Sequence, residues 1–338
     1  MTLGIAIVVF VVAAALLVRV GSSLARSGDE LAEQTGLGAV FVGTLLVAFA
    51  TSLPEVATDV TATVAGAPDL AVADLFGSSM ANMAILAIID LRYRGRVWPG
   101  VELGHARVAA LAIVLTSIAV LGIVRPPSVS IGWVGIDTIA IAGCYVAAMA
   151  WLRRTPVAGR AERPSRLLLE QPVGLATVES DPPRHRAAVR FGVAALGIVA
   201  TAPLVALSAK EIAEQTGVGE TAVGTTLVAI STSMPELVVA LAAVRIGAHD
   251  LAVGNLFGSN VANMSVLLVL DVVHTDGPIL AAVDPSQVTA AMGAVLLMAL
   301  GLAAIVGGTE TRIRRLEPDA VLVLAVYVAV LVAVASGG

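Results

Sequence analysis

The chain contains the same long segment twice. Residues 30–90 align with residues 211–271 without a gap, and roughly half of the paired residues are identical. The best-matched stretches are EQTGLGAVFVGTLLVAFATSLPE against EQTGVGETAVGTTLVAISTSMPE, and DLAVADLFGSSMANM against DLAVGNLFGSNVANM. Similarity over such a length indicates a duplicated structural unit. Any fold proposed for this chain must therefore contain two related halves.

Each copy lies in a series of long apolar runs. Of the 338 residues 58% are apolar and only 13% are charged, which is typical of membrane proteins. A helix needs about 20 residues to cross a bilayer. We therefore predict an all-α polytopic membrane protein, with the first run retained as a spanning helix because no basic segment precedes it. About ten runs have this length, at residues 3–24, 38–66, 70–90, 106–124, 130–152, 188–209, 218–246, 251–271, 285–307 and 319–336.

One long polar stretch divides the runs into five and five. We predict a first five-helix repeat at residues 1–152, a linker at 153–187 and a second five-helix repeat at 188–338. Because five crossings are an odd number, the second repeat enters the membrane from the opposite side. Such inverted repeats are typical of secondary transporters, whose sites lie near the bilayer midplane.

The distribution of arginines predicts how the chain is oriented in the membrane. They concentrate in the linker and in the other segments on its side of the membrane, so the positive-inside rule predicts a cytoplasmic linker and both termini outside. The linker arginines are most simply explained as an anchor on the anionic inner leaflet. A regulatory role for the linker remains open.

Two glutamates occupy matching positions deep within apolar runs. Glu55 ends the segment Thr-Ser-Leu-Pro-Glu and Glu236 ends Thr-Ser-Met-Pro-Glu. A carboxylate at that depth is costly and marks an ion or substrate pathway. Pro54 and Pro235 each remove a helical hydrogen bond and free a carbonyl four residues earlier, which favours a polar cavity over a simple kink.

Other oxygen-bearing side chains share helix faces with these acids. Residues three and four positions apart lie on one face of a helix, so hydroxyls precede each glutamate on its own face, and a serine and an asparagine lie one turn apart in the next run. We expect these faces to converge at the centre: Thr51, Ser52, Glu55, Ser78, Asn82, Thr232, Ser233, Glu236, Ser259 and Asn263.

This set of oxygens favours hard cations. Carboxylate, hydroxyl, amide and carbonyl oxygens suit calcium or sodium. The single cysteine, Cys144, and four scattered histidines offer no alternative cluster. Gly77 and Gly258, just before the serines, would allow two helices to approach closely.

The remaining acids carry less weight. Asp59 lies one turn beyond Glu55, but its repeat counterpart is alanine, so a role in the pathway and a role at a helix interface are equally supported. Asp74, opposite an asparagine, is ambiguous in the same way. Asp90 and Asp271 fall at helix ends, where a solvated or capping role is expected. Glu33 and Glu214 are expected in polar turns outside the core.

At this point the sequence resembles a known family, the sodium/calcium exchangers of the calcium/cation antiporter superfamily, in its prokaryotic type with two alpha-repeats. Those repeats typically contain G-T-S-x-P-E and G-N-x-x-G-S-N. This chain has A-T-S-L-P-E and S-T-S-M-P-E, followed by A-D-L-F-G-S-S and G-N-L-F-G-S-N. The resemblance covers both five-helix halves.

The resemblance implies that Glu55 and Glu236 are central ligands shared by a calcium site and flanking sodium sites. It adds the backbone carbonyls of Ala48 and Ala229 to the ligands, and it implies that the first and sixth helices slide to switch access. The chain departs from the family at two positions. Asn263 stands where prokaryotic relatives often have an aspartate, and Asp74 replaces an asparagine. Two carboxylates neutralise one calcium, so the number of sodium ions exchanged stays open.

The sequence thus predicts an antiporter that exchanges sodium for calcium, not an enzyme, and no ATP-binding motif suggests a pump. The nearest alternative is a proton-coupled antiporter of calcium or another divalent cation. A passive channel, an intramembrane hydrolase and an inactive or sensory relative are less favoured. The expected partners are sodium, calcium and the lipid bilayer of the cell membrane. We expect no cofactor and no nucleic acid, and a monomer, although the sequence does not exclude an oligomer.

Overall fold

The structure, a computed structural model, is almost entirely helical. It describes residues 2–93, 97, 101–154, 184–216, 232–307 and 318–336. The helices in chain order are α1 (Leu3–Thr35), α2 (Ala39–Val64), α3 (Pro68–Arg92), α4 (Gly104–Val124), α5 (Ile136–Arg154), α6 (Arg184–Gln215), α7 (Met234–Arg245), α8 (His249–Val273), α9 (Ile279–Ala282), α10 (Gln287–Gly307) and α11 (Pro318–Ser336). Strands β1 (Ser130–Ile131) and β2 (Val134–Gly135) form a short antiparallel hairpin before α5.

The predicted membrane architecture is confirmed. Within the described residues, nine helices are long and apolar enough to cross a membrane, and each corresponds to one predicted run. The tenth run, 218–246, falls partly on residues 217–231, outside the described part of the chain, and α7 forms its final portion. Most of the predicted linker, from residue 155 to 183, also lies outside the described residues.

Two helices extend beyond the apolar runs that predicted them. α1 continues to Thr35 instead of ending near residue 24, and α6 begins at Arg184, within the predicted linker, and continues to Gln215. Glu33 and Glu214 therefore lie in last helical turns, so their assignment to polar turns was wrong. The polar end of α1 stays helical because its small and apolar face is buried in the bundle, at Leu24, Ala25, Ser27, Gly28, Leu31 and Ala32. Gly36 then ends the helix with a left-handed φ of 68°.

α2 departs from regular helical geometry. Its segment Val42–Val47 is a π-helix between the α-helical parts Ala39–Phe41 and Ala48–Val64. The amide of Ala48 donates to the carbonyl of Gly43, five residues earlier. π-helical turns are rare and frequently lie at functional sites. The apolar pattern of this run gives no sign of it.

α8 lies at the centre of the bundle. Every residue from 251 to 264 is buried, including the polar residues Asn255, Ser259 and Asn260. α1 and α11, in contrast, expose most of their apolar side chains, as helices facing lipid do. The core thus surrounds the second copy of the repeated helix.

The contacts of four aspartates reflect the symmetry of the two repeats. Asp90, at the end of α3, accepts a hydrogen bond from the amide of Val97 at 3.3 Å, and its counterpart Asp271, at the end of α8, accepts one from the amide of Ile279 at 2.7 Å. Asp90 and Asp271 are buried, so they bind backbone amides and are not solvated.

The second aspartate pair lies at the starts of the same helices. Asp69 accepts from the amide of Asp284 at 2.6 Å, and Asp250 accepts from the amide of Glu102 at 2.7 Å. Each of these two bonds joins one repeat to the other. Matching aspartates therefore make matching contacts, as a pseudo-two-fold relation between the repeats requires.

Of these four aspartates, Asp271 accepts the most hydrogen bonds within the described part of the chain. Its Oδ1 accepts from Ile279, and its Oδ2 accepts from the amide of Gly135 at 2.7 Å and from the hydroxyl of Thr138. One buried carboxylate therefore joins the end of α8 to β2, α5 and α9.

We predict that Asp271→Asn destabilises the protein. The new amide group replaces an acceptor oxygen with a donor that faces another donor, and hydrogen bonds to charged groups contribute about 1.5–3 kcal/mol each. The expected loss is about 3 kcal/mol, measured as a lower thermal unfolding temperature in detergent. Asp276→Asn, on an exposed residue of the following loop, is the control and should leave that temperature unchanged. Equal unfolding temperatures for the two variants would contradict the assigned role of Asp271.

Candidate cation site at the crossing of α2, α7 and α8

Glu55 lies in the middle of α2 with only 4% of its surface exposed. The hydroxyl of Ser78, on α3, donates to its Oε1 at 3.1 Å. Its Oε2 is buried and has no hydrogen-bond partner among the described residues. Half of this carboxylate is therefore available to a cation.

Glu236 lies in the first turn of α7 and is completely buried. Its Oε1 lies 3.4 Å from the hydroxyl of Ser52, and the hydroxyls of Thr51 and Ser259 lie close to the same carboxylate. Within the described part of the chain, its Oε2 has no partner. Two of the three hydroxyls come from α2, so the first repeat holds the acid of the second.

Further contacts join α2 to α8. The Thr51 hydroxyl lies 3.0 Å from the carbonyl of Ala48 and 3.1 Å from Oδ1 of Asn255. Asn255 donates its amide to the backbone carbonyl of Glu236 at 3.4 Å. The hydroxyls of Ser52 and Ser259 lie 3.2 Å apart. The structure therefore brings Ala48, Thr51 and Ser52 next to Glu236.

The asparagines of α3 and α8 meet across the repeat boundary. Asn82 donates from Nδ2 to Oδ1 of Asn260 at 2.9 Å. Asn263, predicted as the counterpart of Asn82, is buried, and its Nδ2 has no partner among the described residues. Sequence reasoning passed over Asn260, although it is the last residue of the Gly-Ser-Asn motif and is a buried amide in an apolar helix.

A very close helix approach makes these contacts possible. A Cβ at Gly258 would lie 2.5 Å from the carbonyl oxygen of Thr44, and the nearest backbone to Gly254 is the Cα of Gly43. The π-helical segment of α2 therefore rests directly on α8, as predicted for Gly258. A Cβ at Gly77 would meet no atom of the described residues within 4 Å. The repeat counterpart of Thr44 lies at position 225, outside the described residues, so the close approach at Gly77 stays a prediction.

The second copy of the motif is described only in part. Ser233 is buried, and its hydroxyl has no partner within the described residues. Thr232 is half-buried. Ala229 lies outside the described residues.

The arrangement is a buried set of oxygens, some of which can accept further contacts. Among the described residues, Oε2 of Glu55, Oε2 of Glu236 and Oδ1 of Asn82 have no hydrogen-bond partner, and the two carboxylates are close enough to repel each other. Burying a charge without a partner is costly, so a cation between these oxygens would stabilise them. The described residues contain no group of three or more acidic, histidine or cysteine side chains that could hold a metal. Neutral oxygens would therefore have to complete the coordination.

Asp59 and Asp74 form a second acidic pair beside Glu55. Asp59 is one turn further along α2, and Asp74 is one turn before Ser78 on the antiparallel α3. Their carboxyl groups lie close to each other and to Glu55. Two neighbouring carboxyl groups can share a proton, with one donating and the other accepting a hydrogen bond. The repeat counterparts, Ala240 and Asn255, provide no such pair.

Comparison with known proteins shows which family the chain resembles over both repeats. The family model described as "Sodium/calcium exchanger protein" matches residues 5–151 and 186–335. The chain is 29% identical over 298 residues to inner membrane protein YrbG of Escherichia coli, covering 88% of this chain and 87% of that protein. It is 27% identical over 316 residues to a putative antiporter, CaxA, of Alkalimonas amylolytica, covering 93% of this chain and 94% of the relative.

The fold is similar to that of a solved exchanger. The sodium-calcium exchanger NCX_Mj, in a structure soaked with sodium and without calcium, superimposes with a TM-score of 0.73 at 20% sequence identity. The superposition covers 98% of this chain and 99% of the other. The two proteins therefore share the whole transmembrane architecture.

Proposed function

The chain belongs to the sodium/calcium exchanger protein family, and on that premise we propose that it is a secondary antiporter exchanging sodium for calcium. Access to the site alternates between the two sides of the membrane, and sodium entering down its gradient expels calcium. The observation that carries the proposal is the pair of buried glutamates, one from each repeat, each with a carboxylate oxygen that has no partner among the described residues.

The coupling rests on competition. Calcium takes six to eight oxygen ligands, and the two carboxylates balance its charge. Sodium, which also prefers oxygen ligands, would occupy positions that overlap with those of calcium. Calcium and a full set of sodium ions therefore cannot bind at the same time. A ligand shifts a conformational equilibrium only through its different affinity for the two states. The ion-free carboxylates repel each other. If this repulsion disfavours the change of access, only the ion-loaded protein switches between the two sides of the membrane, and transport of one ion requires transport of the other.

We propose the following ligands for these ions: the backbone carbonyls of Ala48 and Ala229 and the side chains of Thr51, Ser52, Glu55, Ser78, Asn82, Thr232, Ser233, Glu236, Ser259 and Asn263. Asn260 joins them through its contact with Asn82. We also propose that both termini lie outside the cell, that residues 153–187 lie in the cytoplasm and that the transporting unit is a monomer.

We predict that Glu55→Gln and Glu236→Gln each abolish sodium-dependent calcium uptake into proteoliposomes. Each change removes half of the negative charge that balances calcium, and losing one partner of a buried charge pair weakens binding by roughly 30-fold or more. Uptake is measured with radioactive calcium under an outward sodium gradient. Asp276→Asn is the matched control and should transport normally. Retained transport in both glutamine variants would refute the proposed site.

A second prediction concerns Asn263, a buried and neutral residue of α8. Asn263→Asp adds a third carboxylate to the site, which can balance the charge of a further sodium ion. We expect the number of sodium ions moved per calcium to rise. The measurement is the membrane potential at which net calcium flux reverses, at fixed sodium and calcium gradients. An unchanged reversal potential in a transporting variant would show that Asn263 lies outside the coupling site.

The acidic pair Asp59–Asp74 favours a second candidate, proton-coupled calcium antiport. The pair lies one turn from Glu55, and two neighbouring carboxyl groups can take up and release a proton inside the bundle. Protonation and deprotonation of such a pair beside the site could replace sodium as the driving reaction.

The two candidates are separated by the coupling ion. If sodium drives transport, we expect Asp59→Asn and Asp74→Asn to retain sodium-dependent calcium uptake. If protons drive it, a pH gradient in sodium-free potassium buffer should drive uptake in the wild type, and either variant should lose it. Uptake of this second kind, without any sodium requirement, would overturn our first choice.

A further inference from the structure

A basic cleft lies between α1 and α6, away from the candidate cation site. The two helices run antiparallel, with Val20 against Gly197 and Glu30 against Arg190. The cleft has a volume of about 360 Å³. Its lining residues are Arg19, Ser23, Arg26, Ser27, Glu30 and Arg190. It opens at the end of the bundle where α5 ends and α6 begins, which we call the linker end.

The charge of the cleft is predominantly positive. Arg190 donates from Nη2 to Oε2 of Glu30 at 2.6 Å, so these two charges offset each other. Arg26 bonds only to the backbone carbonyl of Ser22, at 3.2 Å, and within the described residues neither Arg19 nor Arg26 forms an ion pair. Two guanidinium groups are therefore left for an anion. Arginine binds phosphate oxygens through two parallel N–H groups.

An adjoining cavity continues the basic surface along α6. It has a volume of about 440 Å³ and shares Arg190 with the cleft. The other residues that line it are His185, Arg186 and Val189. The region near Arg190 therefore has room for more than a single phosphate group.

The position along α1 places the cleft at the membrane surface. About 20 residues of helix cross the hydrocarbon, so a span that begins near Leu3 ends between Arg19 and Arg26. The rest of this 33-residue helix is polar. The two unpaired arginines thus lie where lipid headgroups meet the hydrocarbon.

Apolar side chains continue the same helix faces into the membrane. Leu16 and Val12 precede Arg19 at helical spacing, and Val193 follows Arg190. All three are exposed, Val193 by 64%. The surface therefore changes from basic to apolar along one groove, which matches a phospholipid from headgroup to acyl chain. A free phosphate would use only the basic part.

We propose that the cleft between α1 and α6 binds an anionic phospholipid, with its phosphate between Arg19 and Arg26 and an acyl chain along Val12, Leu16 and Val193. The lipid bridges two helices that both face the membrane. Gly21, two residues from Arg19, packs against Val238 on α7, two residues from Glu236. The cleft therefore lies next to the helix that carries one of the central acids.

The test uses the full-length protein in a non-ionic detergent, titrated with phosphatidylglycerol, phosphatidylcholine or inorganic phosphate. Thermal unfolding temperature and native mass spectrometry report binding. We expect a saturable stabilisation and retained lipid with phosphatidylglycerol only. Equal effects of phosphatidylcholine would show unspecific lipid binding, and an equal effect of inorganic phosphate would show a simple anion site. Either result would overturn the proposal.

The decisive variant is the double change Arg19→Gln and Arg26→Gln. Each arginine near an anionic lipid contributes about 1 kcal/mol, so phosphatidylglycerol should bind roughly 30-fold more weakly. The matched control, Arg92→Gln with Arg245→Gln, removes the same charge from exposed positions at the same end of the bundle. Equal weakening in both double variants would reduce the effect to net charge and refute the site.

A measurement on the wild type guards against a variant that fails to fold. Phosphatidylglycerol with a photoreactive acyl chain should crosslink to α1 near residues 12–16 and to α6 near residue 193. Crosslinks distributed evenly over the other lipid-facing helices would contradict the proposal.

Discussion

The central constraint of this structure is the presence of two carboxylates inside an apolar bundle. Neither Glu55 nor Glu236 has a cationic side chain beside it among the described residues, and burying an unpaired charge is costly. The surrounding sequence is organised around that cost. Hydroxyls from neighbouring helices contact the acids, and the absence of a side chain at Gly258 allows α2 to pack directly on α8. These hydroxyls satisfy one oxygen of each carboxylate, and the other oxygen has no partner among the described residues.

The same constraint explains why Glu236 depends on the opposite repeat. The helix that carries an acid can direct only a few of its own side chains toward that acid, so further oxygens must come from a neighbouring helix. Ser52 and Thr51 of the first repeat serve Glu236, and Asn255 of the second repeat accepts from Thr51. These contacts join the two repeats at the site, and separating the repeats would leave the carboxylate of Glu236 without its hydrogen bond from Ser52.

Sequence reasoning found the parts of the site that local spacing determines. The buried glutamates, the serines one turn from the asparagines and the glycine of the helix crossing are all visible as repeated residues in apolar runs. The partners of each side chain were not predictable, because they depend on the rotation of α2 relative to α8. The π-helix Val42–Val47 changes that rotation, and no residue pattern marks it. The repeat pairs Asn82 with Asn263. In the structure, however, Asn82 bonds to Asn260, which lies one turn before Asn263 on α8.

Pseudo-symmetry makes the differences between the repeats informative. Pro54 lies inside α2, whereas Pro235 lies in the first turn of α7. Asn255 bonds to Thr51, whereas its counterpart Asp74 lies beside Asp59. A transporter with identical halves would present the same surface to its ion from both sides. Here an acidic pair lies on one side of Glu55, and alanine takes the corresponding place beside Glu236. Under the proposed exchange, an ion leaving toward one end of the bundle would therefore meet a different charge from an ion leaving toward the other end, even though the two repeats share one fold.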